Sequence, residues 1–263
     1  MVEVESSIKN NEITKFEKRK LIERIIFFII IFSGFSFFLI FDLVYSVPYR
    51  LDGSHNPWDW MMYWTHLSNI GALIWITFAF IAVIFKSEKI ENEIQSWWFK
   101  NTVYTFIIVT GIVFMTFAYV PSVIKYSSEE NIMGYPDLYN SITIDVERYG
   151  NLYIATTTFK HLIIPSIFIY LAFTERNYTK SNRDISVYQK VMLQFILPCL
   201  YFVYVLFLAS STTCQPPYAV VDYGFTENVE WWKYIFYIIC DLLVGVFFIF
   251  VSWFQYYWNN KNN

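Results

Sequence analysis

Residues 61–85 read MMYWTHLSNIGALIWITFAFIAVIF, and this stretch decides the fold class of the chain. It contains no Asp, Glu, Lys or Arg over 25 residues. A helix needs about 20 apolar residues to cross a hydrocarbon core of about 30 Å, because inside lipid every backbone polar group must be bonded within the segment. The stretch therefore predicts a transmembrane helix. It also places Thr65, His66, Ser68 and Asn69 within five residues of a segment that should be apolar.

Five further apolar runs of similar length occur along the chain. Charged residues make up 16% of the 263 residues, whereas a soluble domain has about 25%. We therefore predict an all-α, polytopic membrane protein, with a bundle of six transmembrane helices at residues 25–258 between an N-terminal tail at 1–24 and a C-terminal tail at 259–263. The predicted spans are Ile25–Val47, Met61–Phe85, Thr102–Val123, Leu152–Phe173, Val191–Ser210 and Trp231–Trp258.

The Lys and Arg residues concentrate on one side of the predicted bundle. Fourteen of the 19 lie in the two tails and in segments 86–100 and 175–190, against four in the other connections. Cytoplasmic loops carry the excess of Lys and Arg, so both termini are predicted in the cytoplasm, with the bundle in the cell membrane. The net charge of −3 argues against a nucleic-acid partner, and three cysteines without a motif spacing predict no metal site and no disulfide framework. No cofactor is predicted.

The ionisable side chains inside the predicted spans lie in the outer halves or near the midplane. Residues three and four apart share a helix face, so Thr65, Ser68 and Asn69 form one stripe on the second span. A charged side chain at the centre of a span costs about 2.5–3.5 kcal/mol, so such groups should face each other or water. The sequence therefore predicts a polar pocket open to the outer leaflet. Its predicted members are Thr65, His66, Ser68, Asn69, Thr157, Thr158, Lys160, His161, Asp241 and Asp42.

These residues also have structural interpretations. Ser, Thr and Asn side chains commonly join membrane helices by hydrogen bonds worth about 0.6 kcal/mol each. Asp42 is close enough to the end of its span to be solvated, and Lys160 can extend to the interface or pair with an aspartate. His161 lies mid-span, four residues before Pro165, where a functional role is the more common explanation.

Three motifs resemble a bacterial family of six-span membrane proteins. YWTHLSNIGAL resembles the YxTxxSN segment of that family's second helix, and FKHLIIPSIFIYLAF resembles its HxxxP fourth helix. Residues 197–224, LPCLYFVYVLFLASSTTCQPPYAVVDYG, resemble its fifth helix and the outer loop of the YPYPFLD type. The positions that match in this third motif are Pro198, Tyr201, Tyr204, Pro216, Pro217, Tyr218 and Asp222. This resemblance covers roughly residues 25–255 and implies the six-helix architecture.

A more distant resemblance implies chemistry. The androgen-induced family of multispan threonine hydrolases, which cleave fatty acid esters of hydroxy fatty acids, has a similar threonine near an asparagine and a similar histidine before a proline. By this resemblance Thr65 matches the nucleophile and His161 the general base. The chain departs from that family in having Thr157 and Thr158 where a second histidine lies, and in having His66 directly after the threonine.

Two functions that use a site are compatible with these residues, and the third alternative is a structural or assembly role without a site. The first is a lipid-ester hydrolase or acyl-transfer enzyme that acts on a membrane lipid or a small amphiphile. There, His161 would activate the Thr65 hydroxyl, while Asn69, Lys160 or His66 would donate to the oxyanion and Asp241 would orient the imidazole. The second is a small-solute or proton transporter, a channel or a ligand-binding membrane module that uses the same cavity. A conduit needs polar residues that continue to the inner side, whereas an enzyme needs a one-sided pocket.

Overall fold

A computed structural model describes residues 2–45, 64–116, 151–175, 186–211 and 231–260. These residues are almost entirely helical and include no β-strand, which confirms the all-α prediction. The helices are α1 (Val2–Tyr45), α2 (Trp64–Ile84), α3 (Glu88–Ile94), α4 (Trp97–Phe114), α5 (Asn151–Thr158), a π-helical turn (Phe159–Ile163), α6 (Ile164–Thr174), α7 (Val187–Ser211) and α8 (Trp231–Asn260). The π-helical turn joins α5 to α6 without a break, so the three form one rod.

Four helical segments in the described chain are long and apolar enough to cross a bilayer. They are Glu17–Phe38, Trp64–Ile84, Ala155–Thr174 and Ile238–Trp258, and they coincide with the first, second, fourth and sixth predicted spans. Helix α4 and the apolar part of α7, Gln194–Tyr204, occupy the third and fifth positions but fall outside that set. The apolar helices support a membrane protein, and the count of six spans remains a prediction.

Local chemistry sets the reversal between α2 and α4. Helix α2 ends where Lys86 takes a left-handed conformation with φ 48°, and the Ser87 N–H bonds back to the Ala82 carbonyl at 2.9 Å. Ser87 caps α3 by accepting from the Ile90 N–H, and Ser96 caps α4 by accepting from the Phe99 N–H. These caps let a connection of about a dozen residues return the chain against α2.

The centre of the bundle is an aromatic core of three rings, Trp75, Tyr104 and Phe168, from α2, α4 and α6. Each ring meets the other two edge to face, with centroid separations of 5.0 to 5.8 Å. All three are fully buried, and the Trp75 Nε1–H donates to the Ile94 carbonyl at 3.0 Å. Edge-to-face pairs of buried rings add to the stabilisation that burial itself supplies, so this core fixes α2, α4 and α6 against one another.

Two glycines allow the rod of α5, the π-helical turn and α6 to approach its neighbours closely. A Cβ atom at Gly34 of α1 would lie 2.2 Å from the Phe159 ring, and one at Gly111 of α4 would lie 2.5 Å from Pro165. Close approach through small residues is a common way to associate helices in membranes. Gly34 and Gly111 therefore hold the π-helical turn between α1 and α4.

A buried amide–hydroxyl triad joins α4, α7 and α8. Asn101 Nδ2 donates to Gln194 Oε1 at 2.6 Å and to Ser252 Oγ at 3.0 Å, and Ser252 Oγ donates to the same Gln194 oxygen at 2.5 Å. This is the helix-joining role of polar residues described above. The triad attaches α7 and α8 to α4.

Candidate functional site

The predicted polar residues of α2 form a buried polar layer together with Thr110 of α4 and Lys160 of the π-helical turn. Thr65, His66 and Lys160 are 7–8% exposed, and Asn69 is fully buried. Ser68 Oγ donates to the Thr65 carbonyl at 3.0 Å and accepts from the Thr110 hydroxyl at 3.0 Å. The polar layer therefore spans three helical elements rather than one.

The Asn69 amide connects the two predicted catalytic segments. Its Nδ2 donates to the Thr65 carbonyl at 2.7 Å and to the Lys160 carbonyl at 3.4 Å. Both acceptors are carbonyls, so the amide orientation is fixed and Oδ1 points elsewhere. This Oδ1 is buried and has no hydrogen-bond partner among the described residues. The amide places Thr65 at the level of the Lys160–His161 peptide.

The π-helical turn at Phe159–Ile163 carries Lys160 and His161. The Ile164 N–H bonds to the Phe159 carbonyl, five residues back, which is the hydrogen bond that defines a π-helix. Pro165 supplies the cause, because it has no N–H to donate and its ring excludes the carbonyl four residues before it, that of His161. Single π-helical turns inside α-helices are frequent at functional sites.

The Lys160 and His66 side chains meet inside the polar layer. Lys160 Nζ lies 3.4 Å from His66 Nε2. An ammonium group can only donate, so His66 Nε2 is positioned to accept from Lys160. The contact brings two titratable groups together beside the Thr65 position, and it makes Lys160 an internal residue rather than one that extends to the interface.

The other predicted residues of the fourth span differ from Lys160 in their position. His161 is half-buried with Nδ1 enclosed, and within the described residues no hydrogen bond joins its ring to the Thr65 hydroxyl. Thr157 and Thr158 are half-buried and make no side-chain hydrogen bond within the described part of the chain, whereas the neighbouring Thr156 is buried. The structure thus joins Thr65, His66, Ser68, Asn69 and Lys160, and leaves Thr157 and Thr158 beside the layer.

Several predictions fall on residues that the structure does not describe. The side chains of Asp42 in α1 and Asp241 in α8 lie outside the described residues. The same holds for the acidic connection 121–150 and for the loop that carries Pro216, Pro217, Tyr218 and Asp222. The proposed role of Asp241 in orienting an imidazole therefore stays a prediction.

Sequence reasoning missed a second polar assembly, a buried ionic cluster at the far end of the same helices. Arg24 of α1 is fully buried and binds two carboxylates through paired hydrogen bonds. Its Nε and Nη2 each donate to Glu175 at 3.1 Å, its Nη1 and Nη2 donate to Glu91 at 2.5 and 3.0 Å, and Nη1 also reaches the Ala79 carbonyl at 3.4 Å. Bidentate guanidinium–carboxylate pairs are among the strongest hydrogen-bonded contacts in proteins.

Lys20, Lys100 and Gln95 complete the ionic cluster. Lys20 Nζ donates to Glu91 at 2.6 Å, Gln95 Nε2 donates to Glu175 at 2.8 Å, and the buried Lys100 donates to Gln95 Oε1 at 2.8 Å and to the Glu175 carbonyl. Burial opposes ionisation of Glu91, but hydrogen bonds from Arg24 and Lys20 and their charges lower the pKa of this carboxyl from 4.5 to about 2. Arg24 likewise holds the pKa of Glu175 below its ordinary value despite burial.

A weak signal for the ionic cluster was present in the sequence. Arg24, Lys100 and Glu175 each lie within two residues of the end of a predicted span. In a bundle of alternating helices these ends lie on one side, so opposite charges there can pair. The sequence analysis interprets the basic residues as determinants of topology, and topology gives no information on which carboxylates they pair with.

The aromatic core separates the two polar assemblies. Trp75 follows Asn69 by six residues, or about 9 Å of helix. On its other side, the Arg24 guanidinium lies 6.0 Å from the Trp75 ring and Lys100 Nζ lies 5.6 Å from the Tyr104 ring. Three fully buried rings in edge-to-face contact therefore separate the polar layer from the ionic cluster.

Comparison with known proteins found no matching protein-family model, no matching curated protein and no matching solved structure.

Proposed function

We propose that this chain is a multi-pass membrane enzyme that hydrolyses or transfers the acyl group of a lipid ester at the polar layer. The proposal includes six spans, both termini in the cytoplasm of a cell membrane, and a pocket that opens to the outer leaflet. Its substrate would be a membrane lipid or a small amphiphile, as the hydrolase resemblance implies.

The observation that carries the proposal is the Asn69 amide, which donates to both the Thr65 and the Lys160 carbonyls. A threonine hydroxyl is a weak nucleophile until a base takes its proton, so nucleophile and base must lie at one level of the bundle. The amide holds the candidate nucleophile and the segment that bears the candidate base at one level. The π-helical turn gives a second support, because it places Lys160 and His161 on irregular backbone.

In the proposed reaction the Thr65 oxygen attacks the ester carbonyl carbon while His161 takes the hydroxyl proton. Lys160 is a buried residue of the polar layer and an ammonium group carries three N–H donors, so it is suited to stabilise the developing oxyanion. Collapse of the tetrahedral intermediate breaks the ester bond, and His161 returns the proton to the departing alcohol. Water, activated by the same base, then releases the acid from the acyl-Thr65 intermediate.

The geometry disfavours the alternative of a transporter or channel. A conduit needs polar groups from one side of the membrane to the other, whereas Trp75, Tyr104 and Phe168 fill the described bundle below the polar layer. A binding module without catalysis shares the pocket, and the experiment below separates it from an enzyme.

A fluorophosphonate probe on the purified protein tests the proposal. Thr65→Ala and His161→Ala should each lose covalent labelling, and Thr65→Ser should retain it because the hydroxyl survives. The matched control is Thr105→Ala, which removes a buried hydroxyl of α4 that accepts from Gln255 at 3.2 Å, away from the polar layer. Labelling that persists in Thr65→Ala, or an intact protein that never labels, would leave the binding module as the better description.

A further inference from the structure

A groove of about 420 Å³ lies between α2, α4 and α7. Helix α4 forms its floor, and α2 and α7 form its walls. The lining is almost wholly apolar and aromatic, with Ser68 as the residue that it shares with the polar layer. Its lining residues are Trp64, Leu67, Ser68, Gly71, Thr102, Val103, Phe106, Leu200, Tyr201 and Tyr204. Pockets of a few hundred Å³ with such linings are typical of small-molecule sites.

Gly71 indicates that the groove is a specific feature of this fold. Among the four described glycines, Gly34, Gly111 and Gly245 each face a neighbouring side chain within 3.2 Å of where a Cβ would lie. At Gly71 the nearest such atom is Val103 Cγ2, at 3.9 Å. Glycine is unfavourable in the interior of a helix, and no contact within the described chain requires a glycine at position 71. A side chain at this position would instead occupy the groove.

The size of the groove identifies the kind of occupant. An α-helix is about 10 Å across and a spanning helix about 30 Å long, whereas this groove continues for only about two turns of α2, which is too short a contact for a partner's spanning helix. A flexible hydrocarbon chain fits an apolar groove of this volume. The groove extends along α2 from Trp64 to Gly71, about 10 Å, within the apolar part of the helix.

We propose that this groove binds one acyl chain of a membrane lipid, with the polar end of the lipid at Trp64. Trp64 stacks on Phe106 at 4.5 Å and meets Tyr201 edge to face at 4.9 Å, and these rings form the end of the groove nearest the start of α2. Tryptophan and tyrosine favour the membrane interface, where a headgroup would lie. Tyr201 and Tyr204, which match the fifth-helix motif, form part of the wall of this groove.

The proposal does not depend on the hydrolase chemistry. Successive residues of an α-helix turn by about 100°, so Leu67 and Gly71 lie on a different face of α2 from Thr65 and Asn69. An acyl chain can therefore occupy the groove whether or not Thr65 reacts. Thr65→Ala should leave the groove and its binding unchanged, which distinguishes failure of one proposal from failure of the other.

The test uses the purified full chain in phosphatidylcholine nanodiscs and a palmitic acid that carries a diazirine in its chain. After irradiation, mass spectrometry should locate label on peptides of α2 and α7, and unlabelled palmitic acid should compete it away. Gly71→Leu should abolish this saturable labelling without lowering the thermal unfolding temperature, because leucine favours helix over glycine. Ile74→Phe, which adds bulk at an exposed position of the same helix, should leave it unchanged.

A second variant guards against a folding defect. Leu200→Trp fills the groove from α7, at a position that is 58% exposed, and should have the same effect as Gly71→Leu. Labelling that does not saturate, or that is equal in wild type and both variants, would show ordinary boundary lipid and overturn the proposal. A change of oligomeric size in Gly71→Leu would overturn it in favour of helix docking.

Discussion

Removing the Arg24 guanidinium should be among the most damaging single changes in this protein. In Arg24→Met the carboxylates of Glu91 and Glu175 lose four hydrogen bonds and a full positive charge. Breaking a buried ion pair by removal of one partner costs about 3–5 kcal/mol. Glu91 keeps Lys20, and Glu175 keeps Gln95 and Lys100, so the lower end of that range, about 3 kcal/mol, is expected. For a chain of this size that is a fall of roughly 10 °C in the unfolding temperature.

Thermal unfolding in detergent measures this fall, and two further variants interpret it. Arg19→Met removes an exposed ion pair with Glu23 of the same helix and an exposed hydrogen bond to the Tyr170 hydroxyl, and should lower the transition far less than Arg24→Met. The double variant Arg24→Met with Glu175→Met should recover part of the loss, because it also removes the carboxylate left without its main partner. An Arg24→Met transition that matches Arg19→Met, or a double variant that equals the sum of its two singles, would refute the pairing described for Arg24.

Three further predictions test other parts of the structure. Glu91 and Glu175 have pKa values that are lower in the folded than in the unfolded state, so both carboxylates should stabilise the fold fully above pH 4.5. The contribution of Glu91 should be lost as the pH falls toward its folded pKa of about 2, and unfolding temperatures measured across this range test the loss. Gly111→Ala should lower the free energy of unfolding by about 1–3 kcal/mol, because its Cβ would lie 2.5 Å from Pro165. Gly71→Ala has no atom closer than 3.9 Å to its Cβ, so it should raise the free energy of unfolding by up to about 1 kcal/mol in the same assay. A cysteine introduced at Asp137 should react with an impermeant thiol reagent added to intact cells while one at Arg183 should not, and the reverse pattern would invert the proposed orientation.

The polar layer was accessible to sequence reasoning, and its physical basis explains why. Thr65, Ser68 and Asn69 share a helix face by their spacing alone, and the cost of polar groups in lipid requires them to face inward. The same cost of a charged side chain in lipid is the reason that the sequence analysis includes Lys160 in the polar pocket. The spacing of residues along one helix does not identify the partner of each polar side chain on another helix. His66 and Lys160 are separated by 94 residues and meet only when α2 packs against the π-helical turn.

Other features depend on packing that no local pattern encodes. HLIIP reveals a proline in an apolar run, but whether the helix kinks, breaks or takes up a π-helical turn depends on Gly34 and Gly111, which admit the bulge from two other helices. The groove beside Gly71 depends on how far α7 stands from α2. Gly71 is visible in the sequence, but a glycine in a helix is expected both where two helices pack closely and where a groove lies open. The sequence alone therefore does not distinguish the two.

The buried position of Arg24 has a consequence for how the protein is made. Its partner Glu175 is encoded 151 residues later, so at synthesis rates of about 5–20 residues per second Arg24 waits roughly 8–30 seconds for that carboxylate. During this interval the nascent first helix carries an incompletely neutralised guanidinium at its border with lipid. A ribosome that stops before Glu175 is made would release a chain in which Glu91 alone of the two carboxylates pairs with Arg24. The ionic cluster thus makes synthesis through Glu175 a condition for full neutralisation of the Arg24 charge.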